Sequence, residues 1–184
     1  MQVIRFRTFV GVFIVLLSSA TVRAQMPAYD EPSPVPAAIT SARTVFLANA
    51  GADNGLFPEP FSGDEGRGYT EFYSALKATR AYTLAGDPSQ ADLVLELELL
   101  APHGPIYNPD KSAGQADAMP NFKLVVYDRK SHYVLWAFTQ SIGTALGQKS
   151  HDRNFDMALE MLLRQFLQLA GKTPAAAGQA PAAH

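Results

Sequence analysis

Hydrophobic and polar positions alternate most strictly over residues 92–100. Leu93, Leu95, Leu97 and Leu99 fall on one side of an extended chain, Glu96 and Glu98 on the other. A strand with one dry and one wet face suits an antiparallel sheet better than a parallel sheet covered on both sides. Residues 121–128 and 132–142 also read as strands, and the polar run Asp128-Arg129-Lys130-Ser131 between them predicts a hairpin. Residues 43–48 suit a strand, and 81–84 a short one closed by the turn Gly86-Asp87-Pro88. An odd hairpin loop of three or five residues is expected. It brings Phe122, Leu124 and Val126 onto the same side of the sheet as Val134, Trp136 and Phe138. Trp136 then reads as a core anchor, and Trp136→Ala as costing about 3–5 kcal/mol through the cavity it leaves.

Two stretches carry the helical period instead. Tyr69, Phe72, Tyr73 and Leu76 predict a short amphipathic helix ending near Arg80. Phe155, Leu159, Leu162, Phe166 and Leu169 share a stripe that Ala158, Leu163 and Leu167 widen. Asn154 or Asp152 is placed to cap that helix and Gly171 to end it. The resulting order is β-α-β-β-β-β-α. The fold class is α+β: an antiparallel sheet of about four or five strands with two helices packed on one face.

The ends of the chain follow different rules. Arg5 and Arg7, an apolar run over residues 9–17, then Ser18, Ser19, Ala20 and the stretch Val22-Arg23-Ala24 have the order of a cleavable secretory signal. Cleavage is expected after Ala24, leaving Gln25 first. The apolar run is short for a bilayer core of about 30 Å, so no transmembrane anchor is expected after cleavage. Pro27, Pro32, Pro34 and Pro36 mark residues 25–40 as a linker. Residues 172–184, built of Ala, Gly, Pro and Gln with little to bury, read as a disordered tail. The domain is then 41–171.

Composition narrows the chemistry. The chain has no cysteine, which removes disulfides, thiolate metal sites, cysteine nucleophiles and lipid attachment at a cysteine. Three of its 15 basic residues lie in residues 1–24, so 12 remain against 17 acidic ones, a formal −5 after cleavage. No basic run exceeds Arg129-Lys130, so nucleic acid is not an expected partner.

The run Ala91-Asp92-Leu93-Val94-Leu95-Glu96-Leu97, followed by Leu124-Val125-Val126-Tyr127-Asp128 and by Leu135-Trp136, resembles a group of small exported bacterial envelope proteins and lipoproteins. Their layout is similar to the amino-terminal domain of TolB. The resemblance spans residues 91–140. It implies an envelope location and a binding or assembly role, and no catalytic residues. The lipid-bearing cysteine common in such proteins is missing here.

Familiar catalytic patterns fall short. Between a strand and a helix, Gly143-Thr144-Ala145-Leu146-Gly147-Gln148-Lys149-Ser150 has three residues between its glycines and a glutamine before its lysine, which is not phosphate-loop spacing. Ser62-Gly63-Asp64-Glu65-Gly66-Arg67-Gly68 would turn two carboxylates toward an anion, and even with Asp53, Asn54 and Glu59 it lacks the alternating oxygens of a calcium loop. His103, His132, His151 and His184 have no i, i+4 pair. Glu96 and Glu98 share a strand face about 7 Å apart, as on any wet face. No Gly-x-Ser-x-Gly elbow occurs. No cofactor, metal or catalytic residue is therefore assigned.

The function expected is that of an exported, periplasmic or extracellular, non-enzymatic domain that binds an envelope protein or a cell-wall component. The alternative is a hydrolase with a loop-borne carboxylate or histidine site. The segment 101–120 is the expected binding element, because so long a connection in a small domain is usually functional. Within it Ile106 and Tyr107 form an apolar pair between prolines, with no strand to bury them, and they are expected to touch either a partner or the domain's own sheet edge.

Overall fold

A computed structural model gives the fold, and it describes residues 33–101 and 119–172. Among the described residues, those from Pro34 onward belong to one unit. Helix α1 spans Ala37–Ser41 and strand β1 Thr44–Ala52. Helix α2 (Arg67–Thr79) and strand β2 (Thr83–Leu84) follow, then a 3₁₀ turn at Pro88–Gln90. Strands β3 (Leu93–Leu100), β4 (Asn121–Asp128) and β5 (Val134–Ser141) precede helix α3 (Gln148–Leu169).

The five strands form one sheet in the order β2-β1-β3-β4-β5. The α+β class stands, but the sheet is mixed rather than antiparallel. β3, β4 and β5 form an antiparallel meander, whereas β1 runs parallel to both β2 and β3. Connectivity explains the difference. Helix α2 carries the chain back to the end where β1 starts. β2 is too short to carry it away, so β3 starts there too, with both Leu84 and Leu93 level with Val45. The alternation in β3 revealed a single dry face but not the direction of a neighbour. Asp92 secures this junction: its Oδ2 accepts the backbone N–H groups of Arg43 (2.8 Å) and Thr44 (3.0 Å). Those bonds, to Arg43 before Thr44, hold the Asp92 carboxyl below its ordinary range.

The core face of the sheet carries Val45 and Leu47, then Leu93, Leu95, Leu97 and Leu99 of β3, and Phe122, Leu124 and Val126. These join Phe72 and Leu76 of α2 and Phe155, Leu162, Phe166 and Leu167 of α3 in one cluster. Gly68 lets α2 approach closely, since a Cβ there would stand 3.1 Å from Cε1 of Phe122.

The hairpin reaches its register by an unexpected route. The Asp128 N–H bonds the Tyr133 carbonyl (3.0 Å), which closes an even turn over residues 129–132. A bulge then shifts the pairing from Tyr127↔Val134 to Val126↔Trp136 and Leu124↔Phe138. Trp136 and Phe138 thus join Phe122, Leu124 and Val126 as expected, while Val134 lies before the bulge and is 56% exposed. One inserted residue reverses the parity that the loop alone would set.

Both domain limits move outward. Residues 37–41, largely inside the expected linker, are helical, and Ile39 is fully buried. Lys172, expected to begin the tail, donates through Nζ to the carbonyls of Ala42 (2.7 Å) and Ala81 (3.2 Å). Helix α3 ends as read: Gly171 has φ +67°, and the Lys172 N–H bonds the Leu167 carbonyl. Its start differs. The helix begins at Gln148, so Asp152 and Asn154 lie inside it, without capping roles.

Candidate functional site

Because β1, β3 and β5 share one direction, their carboxyl ends lie at the same end of the sheet. From it emerge three connections, the two longest among them: 53–66 to α2, 101–120 to β4, and 142–147 to α3. The other end carries the connections 80–82, 85–92 and 129–133. Asp53 ties two of these exits together, since its N–H donates to the Leu99 carbonyl and its Oδ2 accepts the Ala101 N–H (2.7 Å). Ile106 and Tyr107, the expected binding pair, lie outside the described residues, as does His103; the segment's two ends, Ala101 and Met119, are at this end of the sheet.

The 53–66 connection is built on aromatic contacts. Leu56 and Phe61 are fully buried, and Phe61 packs on Phe155 of α3 at 5.1 Å between centroids. Phe57 also meets Phe155, which in turn meets Phe122 of β4 edge-on at 4.8 Å. An ionic clamp lies beside this stack. Arg67 donates Nη1 to Asp152, Nη2 to Asp156 (each 2.6 Å) and Nε to Glu71 (2.8 Å), and its Cζ stands 4.3 Å over the Phe155 ring. Asp152 also accepts both the N–H and the hydroxyl of Ser62.

These contacts set the charges. Burial pushes the Asp152 carboxyl up, but the Ser62 N–H, Arg67 and the Ser62 hydroxyl outweigh it and hold it below the ordinary range. Burial lowers the Arg67 guanidinium, yet its bonds to Glu71 and Asp152 leave it raised overall. For Glu71 burial prevails over the pull of Arg67, and that carboxyl is raised.

Chemically, the clamp is closed on itself. Ser62 donates directly to Asp152, with no histidine between them, and His151 packs edge-on against Phe61 at 6.1 Å. The arrangement fastens a connection rather than activating a nucleophile. Next to it lies an open depression of about 440 Å³ walled by Phe57 and Pro58 and rimmed by Gly63, Asp64, Glu65 and Gly66. Asp64 spends one oxygen on the Gly66 N–H. Across from it the 142–147 connection is held by Asn154, whose Nδ2 donates to the Gly143 carbonyl (2.9 Å), and by Gln148, which donates to the Pro58 carbonyl. Its tip is Leu146, 99% exposed.

The remaining sequence candidates resolve into structural roles. Glu98 pairs with Lys123 across the strands at 3.6 Å, and Glu96 accepts from the Tyr127 hydroxyl at 3.3 Å. Both belong to the sheet face opposite the core, where Val94, Glu96, Tyr127, Asp128, Arg129 and His132 line a second depression of about 330 Å³. Asp128 is a turn residue, accepting from the Ser131 N–H and hydroxyl. Among the described residues no cluster of three His, Asp or Glu side chains is placed to hold a metal. No described helix is long and apolar enough to cross a membrane. The Arg67 clamp escaped sequence reading because its members lie 85 and 89 residues apart; the paired Asp152 and Asp156 on a helix were its one visible sign.

No family model matches the chain, and no curated protein matches it. Solved structures do. A PelC dodecamer from Paraburkholderia phytofirmans is similar over 77% of this chain and 96% of its own, at 13% identity and a TM-score of 0.42. A Xanthomonas campestris protein of the DUF330 group is similar over 74% of this chain and 88% of its own, at 11% identity and a TM-score of 0.44. A neuraminyllactose-binding hemagglutinin homolog from Helicobacter pylori covers 70% of this chain and 86% of its own, at 12% identity and a TM-score of 0.40.

Proposed function

We propose that this chain is an exported, non-enzymatic envelope domain that binds a protein or a cell-wall component through the loop-bearing end of its sheet. The convergence of the three connections there carries the reading. Loops held by a rigid scaffold are where binding surfaces are built, and ligands of open sheets gather outside the carboxyl ends of the strands. The aromatic stack and the Arg67 clamp supply the rigidity. The Phe57–Pro58 depression and the bare Leu146 side chain supply apolar contact. Export rests on the signal-like residues 1–24.

The test places a photo-crosslinking amino acid at Leu146 in the exported chain. After irradiation in intact envelopes, a discrete adduct is expected, absent when the crosslinker stands at Lys77 on the exposed side of α2. Cosedimentation with purified cell-wall sacculi covers the non-protein ligand. Failure of both, together with turnover of an ester, phosphate or glycoside that disappears on Glu65→Gln or His151→Ala, would replace this reading with the hydrolase.

A further inference from the structure

We propose that two copies of this chain pair through β5, antiparallel and about a twofold axis at Ala137, to make one continuous sheet. Among the described residues β5 is an edge strand with no partner on its outer side. Natural edges are usually blunted by charge, proline, brevity or a bulge along the edge. Six of the eight residues after Tyr133 lie beyond the bulge, and the strand Val134-Leu135-Trp136-Ala137-Phe138-Thr139-Gln140-Ser141 has no charge, proline or glycine. The opposite edge is defended: β2 has two residues, and β1 beside it is bulged between Asn49 and Gly51, where φ is +92°. Head-to-tail strand addition therefore has no second edge to use, and pairing of β5 with itself closes at two copies.

The backbone fixes which groups are offered. The Ile142 N–H bonds the Pro120 carbonyl on the β4 side. By alternation, Phe138 and Trp136 also turn their N–H and C=O toward β4, and Ala137 and Thr139 turn theirs outward. A twofold axis at Ala137 pairs Ala137 with its own copy and sets Trp136 opposite Phe138 twice. Both aromatic side chains are only partly buried in a single copy.

Charge favours a second copy at this strip over any other contact between copies. At −5 the exported chain repels itself, and a stable contact needs a charge-free surface. The flank of α3 above β5 extends that surface. Asn154 and Gln165 of this flank reach Gly143 and Gln140, and between them stand Met157 and Met161, 52% and 43% exposed. The ionic flank of α3, with Asp152 and Asp156, faces α2 instead.

Light scattering on the full exported chain is expected to show twice the monomer mass at tens of micromolar. Ala137→Lys sets two ammonium groups opposite one another and should weaken the dimer about fivefold or more, with an unchanged circular dichroism spectrum. The absence of native cysteine gives an independent readout. Cα atoms of a hydrogen-bonded antiparallel pair stand about 5.5 Å apart, within disulfide reach. Ala137→Cys should therefore oxidise to a dimer much faster than Tyr133→Cys, which is 74% exposed but off the axis. A monomer at every concentration, equal oxidation of the two variants, or a monomer that instead takes up a foreign extended peptide at β5 would overturn the proposal.

Discussion

Replacing Arg67 by methionine isolates what the guanidinium contributes, because an apolar stem of similar length remains while the guanidinium, with its carboxylate contacts and its stacking over Phe155, is lost. The Arg67 side chain is 14% exposed; Asp152 is 23% exposed, Glu71 41% and Asp156 55%. The contact to Asp152 is thus the best shielded, and a hydrogen bond to a charged group contributes about 1.5–3 kcal/mol. The half-exposed Asp156 pair adds about 0–1 kcal/mol, and the i, i+4 pair with Glu71 about 0.3–0.5 kcal/mol. Ser62 still bonds Asp152 in the variant, so no carboxylate is left bare. Arg67→Met should cost about 2–4 kcal/mol, lowering Tm by about 6–12 °C. Urea and thermal melts followed by circular dichroism measure it. Acid supplies a second reading. The folded Asp152 carboxyl lies below its ordinary range, so its stabilisation is complete above about pH 4 and fades as pH falls through the depressed value. The gap between wild type and variant should narrow with it. A cost under about 0.5 kcal/mol, or an Asp156→Asn cost equal to that of Arg67→Met, would refute the reasoning.

Tyr82 is buried on Phe166, and its hydroxyl has no hydrogen-bond partner among the described residues; burial pushes it up to about 12. Tyr82→Phe should therefore leave stability unchanged or raise it by about 1 kcal/mol in the same melts. Gly68→Val drives side-chain carbon into Phe122 and should cost about 1–3 kcal/mol, visible as a lower urea midpoint. Trp136→Ala should cost about 2 kcal/mol in a urea titration, less than a fully buried tryptophan, because an edge strand leaves the ring partly exposed. Mass spectrometry of the secreted product should find Gln25 first, and residues 1–24 retained in a membrane pellet would contradict export.

Periodicity exposed each element that buries a stripe: the leucines of β3, the β4–β5 hairpin, and both long helices. It missed what periodicity does not encode. Helix α1 is five residues long and holds through Ile39 alone. The first turns of α3 are polar because their partners are Ser62, Arg67 and Pro58, distant in sequence, and so the helix seemed to start near Phe155. β1 continues through Asn49, Ala50 and Gly51, poor strand formers, because β3 supplies the ladder. The Ala91-Asp92 pair that suggested an envelope relative proves to secure the sheet's first junction, and Asp128 shapes a turn; neither faces the loop-bearing end.

Lys172 joins the last turn of α3 to the residues just before β1, and its ammonium stands 3.9 Å over the Tyr82 ring. The two ends of the folded unit are therefore neighbours, on the side away from the long connections. A fusion made directly at residue 36 or at residue 172 holds the folded unit by the same pole. Immobilised through a tag placed at residue 36 or 172, the folded unit presents its loops outward to whatever flows past, and a permuted chain that joins residue 172 back to residue 36 keeps its sheet order intact.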